Sequence, residues 1–132
     1  MDVHLIIFVL ALVGVAESLY LNHERRRKRH PVCVIGHDCG KVWDSPRSKT
    51  FGVSNEIFGI IFYATVAVVE WSIFSGSASQ SMIIGEYIIL TGGTVMSAYF
   101  IYLQWRIIRA WCFWCTFSAI IVWTMVVSRL LF

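Results

Sequence analysis

The sequence is short of charge. Only 14% of its 132 residues are Asp, Glu, Lys or Arg, against 58% hydrophobic and 15% aromatic. A soluble domain this small could not bury that much apolar surface, because its surface-to-volume ratio is too high; the mean hydropathy of +0.69 points to lipid as the solvent. Proline is nearly absent, with Pro31 and Pro46 both in the one long polar stretch, so nothing breaks the apolar segments. The first apolar segment has no basic residue before it, carrying Asp2 and His4 instead, which argues against a cleaved secretory leader. There is no internal repeat, no low-complexity tract and no room for a second domain. No cysteine lies outside two close pairs.

What remains divides into four spans. Apolar runs cover about Val3 to Leu21, Asn55 to Phe74, Met82 to Tyr102 and Trp111 to Leu131, each near the roughly 20 residues that cross a hydrocarbon core. Backbone groups in lipid must be satisfied within the segment, so each is a helix. The expected fold is an all-α membrane protein, a four-helix bundle forming one domain over 1–132. A loop over about 22–54, containing Cys33 and Cys39, with or without a short helix of its own, is expected to cap one end. Ser75 to Ser81 reads as a short turn and Leu103 to Ala110 as an interfacial link.

The net charge of +3 comes largely from the run His23 to His30, beside the first span. There it reads as an anchor for anionic headgroups, and with no globular module to present it, nucleic acid is not an expected partner. Glu17, Glu70 and Glu86 fall inside spans, where acids are functional candidates by default. Glu70 and Glu86 lie near the surface opposite the cysteines, where snorkelling to headgroups is the simpler account. Gly92, Gly93 and Ser97 suit close helix packing.

Parity brings the cysteines together. Two spans separate the Cys33/Cys39 loop from the start of the fourth helix, so both pairs lie on one membrane face. Cys112-Phe113-Trp114-Cys115 sets two thiols three apart at a helix N-terminus, on one face and within disulfide reach. The helix dipole there favours thiolate, the reactive form. Three readings fit: a zinc site of four thiolates, two structural disulfides, or a redox relay in which one pair meets a soluble partner and the other the bilayer. One pair at the mouth of an apolar helix favours the relay over zinc, and a disulfide within one helical turn stabilises little. A lipid-soluble quinone could reach Cys115, the deeper of the two, and Trp111, Phe113, Trp114 and Phe117 could wall its pocket. Trp105 and Trp111 suit an interfacial aromatic belt as well.

Over nearly its whole length the chain resembles the vitamin K epoxide reductase family. The likeness rests on Ser18-Leu19-Tyr20 before a basic stretch, the Cys33/Cys39 pair before Val42-Trp43-Asp44-Ser45, Phe51 to Gly59 opening the second helix, and Cys112-Phe113-Trp114-Cys115-Thr116 opening the fourth. The other bacterial class of disulfide-generating quinone reductases places its C-x-x-C in an earlier loop. The resemblance implies a membrane thiol:quinone oxidoreductase with ubiquinone or menaquinone as acceptor. Cys33 would exchange with a thioredoxin-like thiol protein, soluble or membrane-anchored, Cys39 would shuttle to Cys112, and Cys115 would reduce the quinone. Asn55 would hydrogen-bond a quinone carbonyl, Ser45 would order the loop over the pocket and Phe58 would line it; no metal belongs to this set. Asn55 also suits a helix N-cap, Ser45 a turn before Pro46, and Asn55 reaches a quinone at Cys115 only if the second and fourth helices are adjacent. The vertebrate tyrosine four residues beyond the C-x-x-C is Ala119 here, which favours quinone over quinone epoxide as substrate. Family members that continue into a fused thioredoxin-like domain carry their partner; this chain is expected to use a separate one. The lysine and arginine bias alone puts the cysteine face in the cytoplasm, whereas the resemblance puts it outside. The expectation is a multi-pass cell-membrane protein with exoplasmic or periplasmic cysteines, the inverted topology left open.

Overall fold

The computed structural model describes residues 2–27, 49–50, 53–76, 79–108 and 113–131. Four helices carry it: α1 (Val3–Arg26), α2 (Asn55–Phe74), α3 (Gln80–Tyr102) and α4 (Phe113–Leu131). All four are long and apolar enough to cross a membrane, and the fold is the all-helical membrane bundle that composition implies. A two-residue antiparallel pairing, Lys49–Thr50 (β1) with Val53–Ser54 (β2), leads directly into α2.

Two boundaries differ from the hydropathy reading. α1 runs five residues beyond the apolar segment, into the basic run, because water and headgroups tolerate a charged helix that hydrocarbon would not. Leu103–Ile108, expected as a link, continues α3 as a π-helical turn. Leu103 and Gln104 are buried, and the Gln104 amide donates to the Phe100 carbonyl at 3.4 Å, so this segment belongs to the bundle on one side. Trp105 and Arg106 face outward. At the other end of α3, Ser79 caps the helix by accepting from the Met82 N–H at 3.2 Å. Gly76 supplies the positive φ of +96° that the turn from α2 needs.

Each helix packs mainly on two others: α1 on α2 and α4, and α3 on α2 and α4. The second and fourth helices therefore occupy diagonal corners and are not the adjacent pair that the Asn55 argument needs. They face one another across the bundle interior. The tightest contact is α1 on α2, and glycine explains it. A Cβ on Gly14 would lie 2.4 Å from the Tyr63 ring, and one on Gly59 would lie 2.8 Å from the Ser18 hydroxyl. Small residues allow such approach in lipid, where no hydrophobic force drives helices together. Gly93 works likewise beneath Phe62, at 2.5 Å, and Ser97 is buried. Gly92 meets nothing within 4 Å; it is one residue, and so about 100° of helix, away from the packed face. The core comprises Ile7, Ala11, Tyr63, Val66, Ala67, Leu90, Ile121, Val122 and Met125.

Candidate functional site

Cys115 is the third residue of α4 and is half-buried. Three aromatic side chains of the same helical turn surround it in sequence. Phe113 and Phe117 stack at 5.8 Å with a 12° interplanar angle, and Trp114 meets Phe117 edge-on at 6.5 Å. Trp114 also contacts Tyr20 of α1 at 5.3 Å. That contact joins the last turns of α1 to the first turn of α4, two ends that parity places on one membrane face. Offset and edge-to-face rings of this kind form apolar walls that take a further planar ring without losing hydrogen bonds.

One turn below Cys115, the α4 backbone meets a phenol from the opposite corner. The Tyr63 hydroxyl lies 2.6 Å from Ser118 Oγ and donates to the Ser118 carbonyl at 3.1 Å, while its ring is 1% exposed. This bond spans the diagonal between α2 and α4. Ala119, the next residue, is buried. Glu17, one turn of α1 beyond Gly14, is buried as well. Sequence reasoning did not single out Tyr63. A tyrosine in the middle of a span, two turns from any surface, was the available signal, since its hydroxyl requires a partner there.

Asn55 is the first residue of α2 and half-buried. It lies at the same end of the bundle as Cys115 but on the diagonal helix. Phe58, 37% exposed, is one turn further in. Cys33, Cys39, Ser45 and Cys112, and with them Trp111 and residues 28–48, 51 and 52 of the capping loop, lie outside the described residues.

The acids of the opposite end depart from expectation. Glu70 and Glu86 do not snorkel; they are 0% and 2% exposed. The cause is a set of partners remote in sequence: His4 Nδ1 lies 2.6 Å from Glu70 Oε2 and 3.3 Å from Glu86 Oε2, and Arg129 Nε donates to Glu86 Oε1 at 2.5 Å. A carboxylate turns inward when the interior offers it a cation or a donor.

The sequence profile of the vitamin K epoxide reductase family matches residues 5–130, nearly the entire chain. The chain belongs to that family. No individual curated protein matches the sequence. Vitamin K epoxide reductase family proteins are membrane oxidoreductases of the thiol/quinone or quinone-epoxide kind, generally linked to thioredoxin-like partners and using quinones as electron acceptors. Membership, together with four spanning helices, makes this chain a multi-pass membrane oxidoreductase of that general kind.

Proposed function

We propose that the chain forms one redox domain passing electrons from a thioredoxin-like partner, through Cys33 and Cys39, to Cys112 and Cys115 and on to a quinone. The net reaction joins two thiols of the partner as a disulfide and reduces one quinone to a quinol, so two electrons and two protons move together. The observation that carries the reading is the family match over 5–130, with Cys115 on the first turn of α4 amid stacked aromatic rings. A quinone, when bound, supplies the two-electron acceptor. The chain's own groups have separate tasks: the α4 N-terminus favours the Cys115 thiolate, the rings of Phe113, Trp114 and Phe117 exclude water, and Asn55 offers an amide to a carbonyl oxygen as charge builds there. Since α2 and α4 are diagonal, the quinone would bridge the interior between them, with Phe58 at its edge and Ser45 ordering the loop above it. Ala119 in place of a phenol favours quinone over its epoxide. The cysteine face is exoplasmic in this reading.

Purified protein in detergent or vesicles tests the proposal. Quinone with a small dithiol, or with a thioredoxin-like dithiol protein, should yield quinol, and Cys112→Ser or Cys115→Ser should abolish both reactions. Cys33→Ser should spare the small dithiol while blocking the protein, because only the small molecule can reach the inner pair directly. Equal and complete loss with both reductants would contradict that division, and a protein inert to quinone whose cysteines hold a metal would overturn the relay.

A further inference from the structure

At the end of the bundle remote from the cysteines, His4, Glu70 and Glu86 project from α1, α2 and α3, with one donor atom of each within 4.8 Å of the other two. Both carboxylates are almost wholly buried; Glu70 Oε1 has no hydrogen-bond partner, and Glu86 Oε2 has only His4 Nδ1, 3.3 Å away and already 2.6 Å from Glu70 Oε2. Carboxylate oxygens left bare in an apolar interior are costly, and buried polar atoms without partners are rare. His4 and Arg129 account for the other two oxygens. Around the two carboxylates stand one guanidinium, Arg129, and one imidazole, His4.

We infer that His4, Glu70 and Glu86 bind a divalent transition-metal ion of the zinc class. One imidazole nitrogen and carboxylate oxygens form a donor set suited to such ions. Arg129 holds the far oxygen of Glu86 and stacks over the Tyr87 ring at 4.8 Å from its centre, an outer contact of the kind that orients a ligating carboxylate. The His4 and Arg129 side chains keep 18% and 16% exposure, so the cluster has access to the aqueous surface. Glu70 is roughly 20 Å along α2 from Asn55, at about 1.5 Å per residue, so the metal and the thiols do not compete for one another. Such an ion would join three helices directly and the fourth through Arg129.

The test uses the full chain in detergent, stripped with chelator and equilibrated with Zn2+ or Co2+. The expected result is one tightly held ion per chain, whose Co2+ form shows ligand-field absorption without a thiolate charge-transfer band. Binding should persist when all four cysteines are replaced by serine. Glu70→Gln, Glu86→Gln and His4→Gln, checked for helix content, should each weaken binding at least tenfold. Independently of any variant, the melting midpoint of thiol-alkylated wild-type protein should rise with free Zn2+, as mass action requires for an ion bound only by the folded state. Metal lost with the cysteines, unchanged affinity in the folded glutamine variants, or a midpoint indifferent to Zn2+ would each overturn the inference. A Glu70→Gln protein that melts higher than wild type in Zn2+ would show that a proton, not a metal, satisfies the pair.

Discussion

Asn55 is the residue on which the proposed quinone site turns. An amide in a water-poor pocket stabilises charge developing on a carbonyl oxygen by a few kcal/mol more than water would. Asn55→Ala should therefore lower quinone turnover on the order of tenfold to a hundredfold, at about 1.4 kcal/mol per decade, with folding little changed. As a helix cap alone, Asn55 would contribute about 1 kcal/mol of stability, and the variant would melt lower while each folded molecule kept its activity. Turnover per folded protein, measured beside the melting midpoint, separates the two roles. Tyr63 poses a second question at this scale. Its hydroxyl is buried against Ser118, so Tyr63→Phe strands that serine and should cost about 1 kcal/mol, read as a lower midpoint. A larger fall in turnover than in folded fraction would add Tyr63 to the site. The cysteines and Asn55 stand out as candidates because short motifs can be read locally in sequence, and the structure places Cys115 and Asn55 at one end of the bundle. The partners of Glu70 were not legible in this way, because His4 lies 66 residues away and nothing in either residue's neighbourhood points to the other.

At the scale of helices, the α1–α2 contact depends on two glycines. A methyl on Gly14 would overlap the body of the Tyr63 ring, which is enclosed and has nowhere to move. Gly14→Ala should cost about 1–3 kcal/mol, measured as folded fraction in a denaturing detergent titration. Gly92→Ala, which meets open space, should leave folding unchanged. Equal effects at the two positions would contradict the packing described. The spans themselves were readable, because bilayer thickness sets their length. Their ends were less so: helical geometry continues past the hydrocarbon wherever water or protein accepts it, as at Arg26 and Leu103. Parity could also place helix ends on one face but could not say which helices touch, so the diagonal relation of α2 and α4 emerges only from packing.

For the whole molecule, sidedness is the property with most bearing on function. Reporters inserted at the turn after α2 (75–81) and at the C-terminus should both appear cytoplasmic if the cysteine face is exoplasmic. Both appearing outside would establish the inverted topology that the lysine and arginine count favours. Arg129, the one such cation that sequence assigns to the opposite face, is engaged with Glu86 and Tyr87. It therefore makes a weaker topological anchor than its charge suggests. Arg129→Gln should destabilise the bundle by about 3 kcal/mol, since removing one member of a buried pair strands the other, and a loss below 1 kcal/mol would mean that the pair is solvated.

The engagement of Arg129 also bears on how the protein is made. Its partner Glu86 enters the membrane on α3, whose span is the least hydropathic of the four, and a lone acid raises the cost of insertion. During synthesis that acid has to wait for the fourth helix to supply its guanidinium. A chain stalled before α4 leaves Glu86 without it, a state that quality-control proteases acting within the membrane would be able to distinguish from the finished protein. The contact that closes the far end of the bundle would thus also mark its completion.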